Sequence, residues 1–259
     1  FDSRGKELPT VGRKGSGPGE IRNANGMAVA FDGNVWVNDP ANGRFVIFSP
    51  EGKPLKTVTR KINGYGFRWD AWFEGAGDLV EPVIAREAMF RRLDLSAKEL
   101  GVVPYPNCGA HSTTTQFYRG ESPGGNSTNG AYPFTQGGGI APDRQGHFWC
   151  TSARGTRVAR VAYGKSDTLA LTAVDVPLLS VSRAERDVVV GSIQKNLQQY
   201  ATNNFDPSQV PTSKSGITAL YVDYDNRLWV AHTPPWLKAV TVFDVFDAAG
   251  KSLFRVSLP

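Results

Sequence analysis

Apolar and polar residues alternate along this chain in short runs, and turn residues interrupt each run before it reaches helical length. "DGNVWVND" (32–39), "GAGDLVEPV" (75–83), "RQGHFWCTS" (144–152) and "YDNRLWVAH" (224–232) each read as a polar turn followed by a strand whose side chains point to alternate faces. Tryptophan fills the same slot in three of them, at Trp36, Trp149 and Trp229, and the second segment offers Leu79 there. A short apolar run precedes each one: "GMAVAF" (26–31), "FRWDAWF" (67–73), "GGIAPD" (138–143) and "ITALYVDY" (217–224). Each pair predicts a hairpin of adjacent antiparallel strands.

A second hairpin follows each first one, over 43–58, 88–103, 157–174 and 239–256. Four antiparallel strands in about 45 residues therefore repeat, which is the pattern of one blade of a β-propeller. The fold class predicted is all-β. Both faces of a blade are buried against neighbours, so Trp36, Trp149, Trp229, Phe48 and Phe246 are expected as filler between blades.

The Gly-rich stretch "GRKGSGPGE" (12–20) invites comparison with a phosphate-binding loop. Such a loop needs a GK[ST] ending and a helix after it. Here no such ending exists and a strand follows. "FDSRGKELPTVG" (1–12) matches "FSPEGKPLKTV" (48–58) and "FDAAGKSLFRV" (246–256), so it reads as the outer hairpin of a blade. The glycines then return the chain toward the start of the next blade.

The residues over 12–58 and 217–256 resemble the NHL-type repeats of six-bladed β-propellers, with "GSGPGE", an apolar strand, "DGNVWVND" and "FSPEGK" in order. The likeness is weak over 60–135. It implies that Asp39, Asn42 and Arg44 are turn and hydrogen-bonding residues and not catalysts. Four complete blades and one further outer hairpin make a six-bladed ring incomplete. The chain then reads as an internal stretch of a longer protein, with inner strands expected before Phe1 and about one blade after Pro259. A four-bladed ring with an extra hairpin packed outside is the other arrangement.

Two insertions interrupt the period of what reads as a single propeller domain, 1–259. The first, 104–136, is rich in Gly, Ser, Thr and Asn, with Phe117, Tyr118, Tyr132 and Phe134 interleaved. Those rings either meet a partner or pin the loop to the propeller. The second, 177–216, predicts a surface helix. Ser182 and Glu185 form a capping box, and Val189, Ile193, Leu197 and Tyr200 follow at helical spacing.

Candidate chemistry is sparse. The three histidines, His111, His147 and His232, have no spacing that makes them converge on a metal. Asp32, Asp143, Asp225 and Glu51 fall in turns, no serine has a G-x-S-x-G context, and no Ca²⁺ set is identifiable. Catalytic, cofactor and metal residues are accordingly expected to be none, and partner-binding residues are not identifiable. Cys108 and Cys150 match no metal motif; a disulfide in an extracytoplasmic protein and two separate buried thiols both remain open. The net charge of +5 is scattered, which argues against a nucleic-acid surface, and no apolar run is long enough to span a membrane.

These features predict a non-enzymatic interaction or scaffold propeller. Its partners would be other protein subunits, with the chain serving as an extrinsic periplasmic subunit of a bacterial membrane complex of respiratory or photosynthetic type. The competing expectation is a metal-dependent propeller hydrolase or lyase of the lactonase kind.

Overall fold

The computed structural model describes residues 6–7, 10–60, 69–75, 77–83, 89–104, 117–135, 139–151, 155–162, 168–234 and 240–258. The chain divides into two compact units, 1–105 with 144–146, and 106–143 with 147–259. The first holds the short pair β1 (Arg13–Lys14) and β2 (Glu20–Ile21). Two sheets follow: β3 (Gly26–Val29), β4 (Val35–Asp39), β5 (Arg44–Phe48), β6 (Pro54–Thr59), and β7 (Trp72–Phe73), β8 (Leu79–Val83), β9 (Met89–Leu93), β10 (Glu99–Pro104).

The second unit opens with the hairpin β11 (Phe117–Glu121) and β12 (Ser127–Ala131). Its first four-stranded sheet is β13 (Ile140–Pro142), β14 (His147–Thr151), β15 (Arg157–Ala162) and β16 (Thr168–Ala173). Then come β17 (Leu179–Ser180), α1 (Arg183–Leu197), β18 (Thr202–Asn203) and β19 (Ser213–Lys214). A second four-stranded sheet closes the unit: β20 (Ile217–Val222), β21 (Leu228–His232), β22 (Thr241–Phe246) and β23 (Ser252–Leu258). Among the described residues all four of these larger sheets are antiparallel meanders in chain order. The fold is therefore all-β and propeller-type. No helix of the described residues is long and apolar enough to cross a membrane. Of the predicted first outer hairpin, 1–12, most residues lie outside those described.

One turn geometry recurs because the strands twist. Ala30 N–H donates to Asn34 O and Gly33 N–H to Ala30 O, each at 2.9 Å; Asp223 and Asn226 repeat this at 3.0 Å. The third turn residue then needs a left-handed backbone, with φ 81° at Gly33 and 60° at Asn226. Glycine adopts this without strain, and asparagine is among the side chains that tolerate it best. Carboxylates lock the outer turns: Asp247 Oδ1 accepts from Ala249 N (3.0 Å) and Lys251 N (2.9 Å), and Asp94 Oδ1 from Ser96 N (2.8 Å) and Lys98 N (3.0 Å).

The Gly-rich loop is closed on itself, as a connection would be. Gly17 N–H donates to Glu20 Oε2 at 2.7 Å. Arg44 donates to the carbonyls of Ser16, Gly17 and Glu20 at 3.0, 3.0 and 2.8 Å. Asn42 reaches Gly15 O, while Asp39, fully buried, accepts from Arg22 N and Asn23 N. The Gly17 amide and then the Arg13 guanidinium keep the Glu20 carboxyl below its usual range. The Gly17 amide and the Arg44 guanidinium are thus spent on the loop's own oxygens, and Asp39, Asn42 and Arg44 hold this loop to β3–β6.

The tryptophan slot faces the following sheet. Trp36 packs with Phe73, Leu79 and Leu93 of the second sheet. Trp149 packs with Leu220, Leu228 and Phe246 of the last one. Phe48 is 1% exposed. The slot in the second sheet is Val80, not Leu79: Trp36 stands two residues beyond the Asn34 carbonyl that closes its turn, and Val80 stands two beyond Asp78. Leu79 points to the opposite face and covers Trp36 instead. Trp229 differs from its two counterparts. It is only half-buried, its ring neighbours Phe243 (5.8 Å) and Phe254 (6.1 Å) come from its own sheet, and Tyr221 and Phe254 on that face are exposed.

This difference has a measurable consequence. Trp149→Ala should cost about 4 kcal/mol in guanidinium unfolding, and Trp229→Ala about half as much or less. Equal losses would contradict the assignment of Trp229 to an uncovered face.

Candidate functional site

The groups raised from sequence as possible metal or catalytic residues are each tied to a local partner. Asp143 is buried and ion-paired with Arg160, with Arg160 Nε at 2.7 Å, and His147 Nδ1 lies 3.4 Å from the same carboxylate. His232 Nε2 lies 2.7 Å from Asp244 Oδ2, and Arg255 holds both Asp244 oxygens at 2.6 and 2.9 Å. Burial pushes the Asp244 carboxyl up, but the bonds from Arg255 and His232 outweigh it and the net shift is downward. Asp32 closes its own turn with Asn34, Asp225 pairs with Arg227 at 2.9 Å, and Glu51 bonds Ser49. His111 and Cys108 lie outside the described residues. Cys150 is buried and disulfide-bonded. Among the described residues no three His, Cys, Asp or Glu side chains gather as a metal site.

Other carboxylates are equally engaged. Glu81, 1% exposed, accepts from Arg60 (2.5 Å), Arg91 (2.7 Å) and the Trp69 indole N–H (2.8 Å). Glu74 is buried beside Arg92, and burial, opposed by that guanidinium, moves its carboxyl above the usual range.

What does come together is the pair of insertions. Within 104–136, the segment β11–β12 forms a regular hairpin, and β18 from the second insertion adds to its free edge through Gly120 with Asn203 and Glu121 with Thr202. Arg119 N–H donates to Asn204 Oδ1 at 2.6 Å, and Asp206 N–H donates to the Tyr132 hydroxyl at 2.8 Å. Tyr118, Tyr132 and Phe205 form a three-ring cluster with centroids 5.2–6.0 Å apart. Two of the four insertion aromatics therefore pin the hairpin. Phe134 is half-buried and Phe117 is 60% exposed.

α1 lies against this small sheet. A Cβ at Gly120 would sit 2.8 Å from Leu197 Cδ2 and 3.0 Å from the Tyr200 ring, so glycine is what lets the helix end approach. Ser182 accepts from Glu185 N at 3.2 Å, as its capping role requires. The reciprocal half of the predicted capping box is not made. The Glu185 carboxylate is buried and pairs with Lys214 of β19 at 2.7 Å. Leu197 is buried, and Val189, Ile193 and Tyr200 are half-buried along the inner stripe. The outer side presents Arg183, Asp187, Val188, Gly191 and Lys195, all exposed, with Val188 at 60%. Phe205 and β18 were not singled out from sequence. A two-residue strand carries no period, and its partner lies more than 80 positions away.

No family model matches the chain, and no curated protein matches it. Solved structures with a similar fold include hydrazine synthase of Kuenenia stuttgartiensis, at 8% identity over 98% of this chain and 52% of that one, with a TM-score of 0.39. A member of the DUF4221 family from Bacteroides vulgatus ATCC 8482 shows 10% identity, 98% and 71% coverage and a TM-score of 0.45. Virginiamycin B lyase from Staphylococcus aureus shows 12%, 91% and 69%, and 0.40. These neighbours are propeller-type proteins. At these identities the likeness concerns fold alone. The chain spans about half the length of the hydrazine synthase chain it matches.

Two outcomes test the site's construction. Gly120→Val should destabilise the insertion module by about 2 kcal/mol and speed amide exchange in α1, while β3–β6 amides keep their protection. Asp244→Asn should cost about 2 kcal/mol near neutral pH by removing an ionised acceptor. Because the folded Asp244 carboxyl is held below the ordinary 3.8, its contribution is complete above that value and is lost as pH falls through the folded one. The gap between the two proteins in thermal unfolding should therefore narrow in acid and not in base.

Proposed function

We propose that this chain is a non-enzymatic interaction propeller whose two-insertion module is the partner-binding part. The observation that carries the reading is the convergence of 117–135 and 179–214 on one another as a sheet backed by a helix. A four-stranded blade is complete without such an addition. The outer side of α1 mixes charge of both signs with an exposed valine, a composition suited to a protein surface. Several arginines are held by carboxylates, at Arg60, Arg91, Arg160, Arg227 and Arg255, which disfavours a phosphate-backbone partner at those positions.

The finer reading is a six-bladed ring of NHL type, in which the half-open Trp229 face receives another blade. An extracytoplasmic, periplasmic setting is supported by the disulfide at Cys150, since such bonds persist in oxidising compartments. An extrinsic subunit of a membrane-associated complex, of respiratory or photosynthetic type, fits both. The competing reading is a metal-dependent hydrolase or lyase of the lactonase kind.

A photo-crosslinking residue at position 188, in the cells that make the protein, should yield one discrete protein adduct that the same residue at position 224 does not. Tyr224 is 75% exposed on a blade turn and serves as the control. Absence of an adduct at 188, together with stoichiometric Ca²⁺ or Zn²⁺ whose chelation abolishes lactone hydrolysis, would replace this reading with the enzymatic one.

A further inference from the structure

The first unit contains a cleft of about 310 Å³ between β3–β6 and β7–β10, at the end where the hairpin turns lie. Its walls are apolar: Phe31, Trp36, Ile47, Phe73 and Leu95 line it. Deeper in the wedge the same two sheets are filled, with Trp36 against Phe45 and Phe73 at ring distances of 5.5 and 5.6 Å. The filling stops short for an identifiable reason. β7 is two residues long, and the turn after it carries Gly77, where an added Cβ would meet nothing within 4 Å. An apolar space of this size is at the lower end of those that hold small molecules.

The polar groups on its rim define the occupant. Lys56 Nζ stands 5.8 Å over the Trp36 ring and donates to Leu95 O at 3.4 Å. An ammonium has three donors, so this one retains capacity toward the cleft. Asp32, also on the rim, already accepts from Asn34 N at 3.0 Å and Asn34 Nδ2 at 2.6 Å. The Arg144 guanidinium also stands 4.9 Å over the Phe31 ring, so two cations and the Asp32 carboxylate leave one net positive charge, which matches a single negative charge on the occupant. A second negative charge would meet Asp32.

We propose that this cleft binds a small monocarboxylate with an aromatic or branched apolar body, its carboxylate on Lys56 and its body between the exposed Phe31 and Leu95, above the buried Trp36 and Phe73. The site is independent of the partner-binding reading, since every residue in it belongs to the first unit and none to the insertion module.

The test is calorimetric titration of the purified protein with 2-naphthylacetate and with its neutral amide. The acid should bind about tenfold more tightly than the amide, the scale of one charge-assisted hydrogen bond at an exposed rim. Lys56→Met keeps the aliphatic stem over Trp36 and should bring the acid down to the amide without changing the amide. Leu95→Trp, on an exposed turn that can accept a larger side chain without unfolding the core, should plug the cleft and abolish both. Thermal unfolding of each variant within a few degrees of the parent shows that the fold is intact. The proposal is overturned if neither compound binds at millimolar concentration, if the amide binds as well as the acid, or if Lys56→Met leaves the difference in place. Binding that survives Leu95→Trp in a folded protein places the ligand elsewhere and equally overturns it.

Discussion

A sheet that carries apolar side chains on both faces must be covered on both, and the rest of this structure follows from that requirement. Each strand pair is too short to bury its residues alone. Within each unit the inner strands of one sheet therefore send a face toward the other sheet. Trp36 and Trp149 do this with the largest side chain available, at 2% and 0% exposure. The gap between twisted sheets is filled by a bulky indole in the first and third sheets and by Val80, fully buried, in the second. The last sheet keeps the same device in Trp229 and Phe254 but shows it half-open. The cleft beside Trp36 is the same geometry left unfilled at one end.

Charge is distributed under the same constraint. Carboxylates at strand ends and turns, such as Asp39, Glu81 and Asp143, are buried because the sheets close over them, and each is matched by arginine or by backbone amides. Such pairs add little net stability over an apolar pair, but losing one partner is costly. They therefore fix which arginine sits where. Lys56, at the rim of the cleft, bonds a carbonyl, Leu95 O, instead of a carboxylate.

The blades were legible in the sequence because their signals are local. Alternation over a few residues, a turn closed by Gly33 or Asn226, and a repeated tryptophan slot each lie within one hairpin. The single-residue error at Leu79 shows the limit: without a tryptophan to mark the slot, the pattern gives the hairpin but not which face is which, and only the hydrogen bond from Glu74 N to Asp78 O sets the count. Glu185 was assigned to a capping box for a similar reason. Its spacing from Ser182 is right, but Lys214 competes for it, and a lysine 29 residues away has no local signature. The pairing of β11 with β18 and the place of Phe205 were invisible on the same grounds. The cleft was invisible because it is defined by an absence of side-chain volume between two sheets.

The convergence of the two insertions has a topological cause. A meander of four antiparallel strands has an even number of passes, so the chain enters the first strand and leaves the last one at the same end of the sheet. The hairpin β11–β12 precedes β13–β16, and the segment from β17 to β19 follows it. Both segments therefore emerge at the same end of the sheet, from its two opposite edges, although their contacting residues lie far apart in sequence. The entropy of closing that long loop is already met by the folding of the sheet between them. A β-edge such as Gly120–Glu121 brought next to a second free segment will pair with it rather than stay open to water. Additions placed before and after a sheet of this kind thus collect at one of its ends, opposite the turns that join its first to second and third to fourth strands. The module built from the two insertions and the apolar cleft between β3–β6 and β7–β10 share no residue.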